Sequence, residues 1–289
     1  MGFFVGFRTV AVEDDDATFP MAIMYPTDTP EAPLQIGPYN LSVAKNATPA
    51  DDALPLVIIS HGSGGSHYVY RTVAHYLAAN GFVVGMPEHP FNNRNDNSLE
   101  GTVENLRNRP RHIQQVIDWF YKSDAFAGVL KPKAVSLIGH SMGGYTALAV
   151  AGGVPTSFPR ESPEGQSVQV TVPRDNRIKA LVLMAPAAVW YREQGALSEI
   201  DVPILLLAAE KDKYAPYFHS QIILDGLPDH ADIEHRVVDN AGHFSFLSPF
   251  PAKMSGPAFI PAHDPPGFDR AHFHKTLNAE VLNFLHRKT

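Results

Sequence analysis

Gly-His-Ser-Met-Gly-Gly at residues 139–144 is the stretch that decides the fold of this 289-residue chain. It follows the apolar run Val-Ser-Leu-Ile at 135–138 and precedes the helical run Tyr-Thr-Ala-Leu-Ala-Val at 145–150. Strand, tight turn and helix, in that order, are the context in which a G-x-S-x-G motif exposes its serine. The glycines are needed because the serine backbone is strained and the strand and helix approach closely. Ser141 is therefore a candidate nucleophile.

Short apolar runs alternate with helical segments on both sides of this turn. The runs that predict strands cover residues 3–12, 21–25, 56–60, 82–86, 134–138, 178–184, 204–208 and 233–238. Helical periodicity covers residues 68–80, 103–121, 141–151, 217–225 and 270–287. Alternation from the third strand onward is typical of a mostly parallel sheet with helices on both faces. We predict one α/β domain over residues 1–289, with a sheet of roughly eight strands.

Two irregular segments interrupt this alternation, at about residues 152–176 and 248–267. Both are rich in proline, glycine and polar residues, and both are too long for ordinary connections. The first follows the helix after Ser141, and the second follows His243. We expect these loop insertions to lie over the carboxyl ends of the strands, where they would shape entry to the site.

A serine hydroxyl needs a base within hydrogen-bond reach, and that base needs a third group to orient it. His243 follows the strand at 233–238, and Asp212 follows the strand at 204–208. Both come after strand ends, where open α/β sheets build their sites. The chain order of nucleophile, acid and histidine also fits this motif. Asp212 is favoured as the acid, Glu210 is the alternative, and Asp201 suits less because it precedes its strand.

A second glycine-rich loop, His-Gly-Ser-Gly-Gly at residues 61–65, follows the strand at 56–60. It matches the H-G-x-G loops that donate a backbone N–H to a developing oxyanion. We therefore predict Ser63 and Met142 as the two N–H donors. A phosphate cradle is disfavoured because no Lys-Ser/Thr pair follows, and because His67 stands where the last glycine of G-x-G-x-x-G would be.

Composition removes several other classes of function. The net charge of −7 provides no basic footprint for nucleic acid, and the absence of cysteine excludes disulfides, cysteine-ligated zinc and a cysteine nucleophile. No apolar run is long enough to span a membrane, and no signal peptide is recognised, so we expect a soluble, cytoplasmic protein. The histidine pairs 272/274 and 230/235 lack matching carboxylates, so we expect no metal and no cofactor.

These motifs together resemble the α/β-hydrolase superfamily, and within it the dienelactone-hydrolase-like and platelet-activating-factor acetylhydrolase-like esterases. The likeness rests on Pro-Leu-Val-Ile-Ile-Ser-His-Gly at 55–62, Leu-Ala-Ala-Asn-Gly-Phe-Val-Val at 77–84, Glu-His-Pro at 88–90 and the motif at 139–144. The resemblance implies ester cleavage through an acyl-enzyme, with Ser141, Asp212 and His243 as the catalytic triad and the Ser63 and Met142 N–H groups as oxyanion donors. Dienelactone hydrolases proper use cysteine as nucleophile, and dehalogenases and epoxide hydrolases use aspartate, so serine here disfavours those three reactions.

Aromatic residues near the predicted site suggest a small to medium, apolar or aromatic ester as the substrate. For each of them taken singly, plain core packing is the more common role. These candidates are Phe91, Trp190, Tyr191, Phe244, Phe246 and Phe250. The arginines at 107, 109 and 111 could meet an anionic ester, but a solvated start of a helix is the favoured interpretation.

Two other functions remain open at this stage. An acyltransferase would use the same serine and oxyanion donors but accept an alcohol or amine in place of water. A non-catalytic binding protein could also be built on this fold. Labelling of Ser141 by a fluorophosphonate separates the second from an enzyme, and product partition with added alcohol separates the first from a hydrolase. The sequence does not specify an oligomeric state.

Overall fold

The computed structural model describes residues 2–14, 17–50 and 53–289. Within these ranges ten strands form one sheet. They are β1 (Phe4–Glu13), β2 (Thr18–Thr27), β3 (Ala32–Ile36), β4 (Tyr39–Lys45), β5 (Leu54–Ser60), β6 (Val83–Pro87), β7 (Leu130–His140), β8 (Ile178–Met184), β9 (Ile204–Ala209) and β10 (Ile233–Val238). The prediction of roughly eight strands missed the hairpin of β3 and β4. β3 has no buried residue and β4 has only three among seven, so the two strands carry little of the apolar signal that marks a strand in sequence.

The order across the sheet is β10-β9-β8-β7-β5-β6-β2-β1-β4-β3. The six strands from β10 to β6 run parallel, whereas β2 pairs antiparallel with both β6 and β1. β7 lies inside this parallel block, between β5 and β8. Ser141 directly follows β7, and the loop at 61–65 directly follows β5. The topology therefore brings the two glycine-rich turns to neighbouring positions at one edge of the sheet.

Five helices cover the two faces of the sheet: α1 (Arg71–Ala79), α2 (Val103–Lys122), α3 (Met142–Val150), α4 (Phe218–Gly226) and α5 (Arg270–Lys288). α1 and α5 pack together on one face, and α2 and α3 pack together on the other. All nine residues of α3 are buried, which explains why this helix has apolar or small residues around its whole circumference. The predicted α/β class, with a mostly parallel sheet and helices on both faces, is confirmed. No helix in the described ranges is long and apolar enough to cross a membrane.

The two irregular segments contain single turns of 3₁₀ helix, at Pro159–Glu161 in the first and at Ala252–Met254 and Ile260–Ala262 in the second. The first segment is anchored to the body of the protein. Val170 is fully buried in the core beside α3, and the Ser157 N–H donates to Val168 O at 2.9 Å. This segment is therefore a packed part of the domain as well as a connection.

Candidate active site

Ser141 occupies the turn between β7 and α3 with φ 54° and ψ −120°, a backbone conformation that costs energy for any side chain other than glycine. The neighbouring glycines make this turn possible. A Cβ on Gly139 would lie 2.2 Å from Gly143 O, one on Gly143 would lie 1.9 Å from Ser60 O, and one on Gly144 would lie 2.4 Å from Pro186 Cβ. Each contact is far inside van der Waals distance, so the motif glycines are required by the close approach of strands and helix.

His243 and Asp212 lie next to each other at the same edge of the sheet. His243 Nδ1 is 2.8 Å from Asp212 Oδ2, and both side chains are at least nine-tenths buried. The other oxygen, Asp212 Oδ1, accepts the N–H groups of Tyr214 and Ala215 at 2.8 Å each. Burial raises the pKa of Asp212, but the hydrogen bond and charge of His243 and the two N–H groups outweigh it and lower the pKa below its ordinary value.

Glu210, the alternative acid, has a different position. Its side chain is 44% exposed, and its oxygens accept from Lys211 Nζ at 2.9 Å and from the Asn240 N–H at 2.7 Å. These contacts fix the turn before His243, and Glu210 makes no hydrogen bond to the imidazole. Of the two carboxylates, it is Asp212 that orients the histidine.

Ser141 and His243 line the same two cavities. No hydrogen bond within the described residues joins Ser141 Oγ to the imidazole ring. Hydrogen bonds of this kind are commonly long before substrate binds and shorten in the complex. The arrangement thus brings a strained serine and a histidine to one solvent-accessible space, with the buried Asp212 behind the histidine.

The loop at 61–65 lies against the serine turn, and a Cβ on Gly62 would be 3.1 Å from Ser141 Cβ. The backbone N–H groups of Ser63 and Met142 make no hydrogen bond to other residues that the structure describes. The Ser63 hydroxyl donates to Glu100 Oε1 and accepts from Asn92 Nδ2, each at 2.9 Å. Two free N–H donors therefore lie beside Ser141, on a loop that is held in place by side-chain contacts.

His140, the residue before the serine, connects the two loops of the site and was not singled out in the sequence. Its Nε2 lies 2.9 Å from His243 O, and its Nδ1 lies 3.0 Å from the Tyr70 hydroxyl. Complete burial, together with the nearby His243, lowers the pKa of His140 to about 3. His140 is therefore neutral at physiological pH, and it fixes the backbone of the loop that carries His243.

Arg109 lies behind the loop at 61–65 and is fully buried, which corrects, for this residue, the interpretation of the arginines at 107, 109 and 111 as a solvated start of a helix. Its guanidinium donates to His61 O, to Asn92 Oδ1 at 2.7 Å and to Thr146 Oγ1 at 3.0 Å. Among the residues that the structure describes, no Asp or Glu pairs with it. Burial lowers the pKa of Arg109 to about 9.

Two cavities in the described part of the chain flank Ser141, and both include Ser63, His243 and Phe244 in their walls. The first, which we call the apolar cavity, measures about 340 Å³ and is completed mainly by Tyr39, Val69, Tyr70, Leu247, Phe250, Phe259 and Pro261. The second, which we call the acidic cavity, measures about 410 Å³ and is completed mainly by Glu100, Asn105, Leu106, Glu161, Trp190 and Tyr214. The segment at 248–267 thus contributes to the first cavity, and the segment at 152–176 contributes to the second.

The predicted substrate-binding aromatics divide between cavity walls and core. Phe244 lines both cavities, and Trp190 lines the acidic cavity. Tyr191 and Phe246 are instead almost fully buried core residues, and Tyr191 donates its hydroxyl to Tyr145 O. Phe91, whose φ of 58° marks a tight turn, lines neither cavity. A sequence shows that an aromatic residue is near a site, but not which way it points.

The histidine pairs considered as metal ligands are dispersed. His274 is buried and lies 3.0 Å from Thr72 Oγ1 and 3.1 Å from Ser245 O, whereas His272 is exposed. Among the described residues, no group of three or more His, Asp or Glu side chains is arranged to hold a metal ion.

Comparison with known proteins agrees with this architecture. Residues 55–196 match the family described as alpha/beta hydrolase fold. A ferulic acid esterase from Streptomyces cinnamoneus is similar in structure, with a TM-score of 0.74 and 18% identity over 99% of this chain and 90% of that chain. A dienelactone hydrolase from Anabaena variabilis has a TM-score of 0.58 and 15% identity over 98% of this chain and 97% of that chain. A search of curated proteins by sequence gives no match. With its central parallel strands and the serine turn after β7, this chain is a protein of the α/β-hydrolase fold.

Proposed function

We propose that this protein is a serine hydrolase that cleaves carboxylic esters through an acyl-enzyme intermediate. One observation carries the proposal: Ser141 is held at a positive φ between β7 and α3, and it faces the same space as a histidine that Asp212 orients. A strained serine that lines a cavity next to an oriented imidazole is the arrangement that activates a hydroxyl for acyl transfer.

In the first half of the reaction, Ser141 Oγ attacks the ester carbonyl carbon while His243 Nε2 accepts the hydroxyl proton. The negative charge that develops on the carbonyl oxygen is stabilised by the N–H groups of Ser63 and Met142. Asp212 accepts a hydrogen bond from Nδ1 and stabilises the imidazolium that forms. Collapse of the intermediate breaks the bond to the alcohol oxygen, and His243 returns its proton to the leaving alkoxide.

In the second half, a water molecule replaces the alcohol. His243 takes a proton from the water as the water oxygen attacks the acyl carbon, and the same N–H groups hold the second oxyanion. Breakage of the bond to Ser141 Oγ releases the carboxylic acid, and the proton on His243 returns to the serine. Each proton that leaves a nucleophile is thus delivered to a leaving group.

The cavities support small to medium esters as substrates. The two spaces of about 340 and 410 Å³ lie on either side of Ser141, so one can hold the acyl group and the other the alcohol. The apolar cavity is walled by Tyr39, Phe250 and Phe259, which suits an apolar or aromatic group. Ferulic acid esterase, the name of one structural neighbour, denotes an enzyme that acts on an aromatic ester.

The deciding experiment combines covalent labelling with turnover. A fluorophosphonate should modify Ser141 in the native protein and not in Ser141→Ala, and that variant should lose hydrolysis of aryl esters while it keeps its unfolding midpoint. Ser198→Ala, the same change at an exposed serine that lines neither cavity, is the control and should keep labelling and turnover. Turnover near the native level in Ser141→Ala would exclude the mechanism.

A further inference from the structure

The acidic cavity has an unusual distribution of charge. Two carboxylates, Glu100 and Glu161, line it, and none of the described residues in its wall is a lysine or arginine. No salt bridge within the described ranges involves either carboxylate. The cavity beside Ser141 therefore carries two negative charges without a cationic partner.

Glu161 is held rigidly in this wall. Only 6% of the surface of Glu161 is exposed. Its Oε2 accepts hydrogen bonds from the Phe158 N–H at 2.7 Å and from Trp190 Nε1 at 2.9 Å. All of these donors are neutral N–H groups, so they satisfy lone pairs without cancelling the charge. A buried carboxylate that lacks a cation is costly to maintain unless a ligand supplies one.

Asn105 provides an independent indication of a ligand. Only 3% of its surface is exposed, it lines the acidic cavity, and its side-chain amide makes no hydrogen bond to another residue that the structure describes. Buried amides are normally paired, and an amide that opens into a cavity is available to a bound group. Its carbonyl oxygen is a further acceptor for a positively charged donor.

Aromatic rings complete the wall. Trp190, Tyr214 and Phe244 line the cavity, and the rings of Tyr214 and Phe244 lie 5.0 Å apart. Indole, phenol and phenyl faces attract cations. The N-terminus of α2, at Val103, also lies at this cavity and contributes about half a positive charge. The negative charge of the two carboxylates is larger than this contribution.

We propose that the acidic cavity binds a cationic group, so that the preferred substrate is an ester with an ammonium group on the side that enters this cavity. This inference rests on the proposed function for the chemistry at Ser141, and it adds the class of substrate. Neutral polyols, whose hydroxyls could also bond to carboxylates and amides, are the alternative ligand and form one arm of the test.

Binding is measured first without turnover, by calorimetry on Ser141→Ala with choline, with 3,3-dimethylbutan-1-ol as the neutral isostere, and with glycerol. Choline should bind about tenfold more tightly than its isostere, which is the range that cation–π contact and Coulombic attraction to a nearby carboxylate provide. Glu161→Gln should reduce this preference several-fold. Glu164→Gln, the same change three residues away on an exposed side chain, should leave it unchanged. Equal binding of choline and the isostere, or tighter binding of glycerol, would overturn the inference.

Turnover provides the second readout, as the ratio of kcat/KM for butyrylcholine to that for 3,3-dimethylbutyl butyrate. Because the ratio cancels any general loss of activity, Glu100→Gln can be tested even though Glu100 contacts Ser63. Glu100→Gln also serves in place of Glu161→Gln if the latter variant does not fold. The ratio should exceed one and fall in each cavity variant. Hydrolysis of both esters at equal rates without choline binding defeats the inference and keeps the proposed function. Choline binding that depends on Glu161, without any ester hydrolysis or Ser141 labelling, defeats the proposed function alone.

Discussion

Arg109 Nη1 donates to Asn92 Oδ1 at 2.7 Å, and through Asn92 the buried guanidinium reaches the Ser63 hydroxyl. The same guanidinium donates to His61 O in the loop at 61–65 and to Thr146 Oγ1 in α3. One side chain thus joins the two backbone segments whose N–H groups we propose as oxyanion donors. Arg109 lines neither cavity, so we infer that it acts by positioning these two segments.

Replacement of Arg109 should therefore impair both stability and catalysis. Arg109→Met leaves several buried acceptors without donors, each at a cost of about 1–3 kcal/mol. We expect a lower unfolding midpoint in urea, and a fall in kcat with little change in KM, because the donors act on the transition state. Arg107→Met, an exposed position on the same helix, is the control and should resemble the native protein. A native kcat in folded Arg109→Met would show that the loop does not depend on this contact.

The spacing of residues in α2 indicates the buried position of Arg109, but the sequence does not indicate its contacts. Leu106, Arg109 and Ile113 are spaced three and four residues apart, so Arg109 lies on the same buried face of α2 as its two apolar neighbours. The serine motif and the strand ends were recognisable because they are local patterns. The contacts of Arg109 were not, because they join residues 17 to 49 positions apart. For the same reason sequence placed Tyr191 and Phe246 near the site but could not distinguish a ring that faces the core from one that faces a cavity.

The acid is tested by a pair of isosteric changes. Asp212→Asn should reduce kcat by about 10³-fold or more, because an amide neither holds the required tautomer of His243 nor stabilises its charged form. Glu210→Gln should leave kcat near the native value, since Glu210 contacts Lys211 and the Asn240 N–H instead. Steady-state kinetics on one aryl ester suffice, and the reverse ranking would identify Glu210 as the acid.

The close approach of the serine turn to β5 predicts that alanine substitution will have very different effects at two glycines. A Cβ on Gly143 would lie 1.9 Å from Ser60 O, so Gly143→Ala must push the serine turn and β5 apart. We expect a loss of about 1–3 kcal/mol in the free energy of unfolding, as for other overpacked sites, together with a large loss of activity. At Gly256 a Cβ would meet nothing within 4 Å, so Gly256→Ala should change neither quantity. Equal stability of the two variants in urea would contradict this packing.

The pH dependence of stability follows from the buried histidines. Burial lowers the pKa of His140 from 6.5 to about 3, and burial also lowers the pKa values of His61 and His89. The unfolded chain then binds protons more readily than the folded chain, so stability is complete above pH 6.5 and is lost as the pH falls towards 3. Between pH 7 and 5, His140 alone should cost about 2 kcal/mol.

Urea unfolding at these two pH values tests the histidine contribution. His140→Gln should lose less stability on acidification than the native protein, whereas His272→Gln, at an exposed position, should lose as much. The low pKa of Asp212 acts in a different window, because its stabilisation disappears only below its ordinary value of 3.8. An identical loss in the native protein and His140→Gln would mean that His140 is not held neutral by the fold.

The apolar cavity makes a prediction about substrate size. Phe259 lies edge-on to Phe250 with ring centroids 5.0 Å apart, and both rings line the cavity. Phe259→Ala should enlarge this space and remove an aromatic contact, and such contacts contribute about 0.5–1.5 kcal/mol. We expect kcat/KM for an aromatic ester to fall about fivefold relative to a short-chain ester, in proportion to that energy. Ile260→Ala, a truncation of the adjacent residue, which is 55% exposed and does not line the cavity, is the control. If Phe259→Ala folds and ranks short, long and aromatic esters as the native protein does, the substrate does not occupy the apolar cavity, and selection among esters must occur on the other side of Ser141.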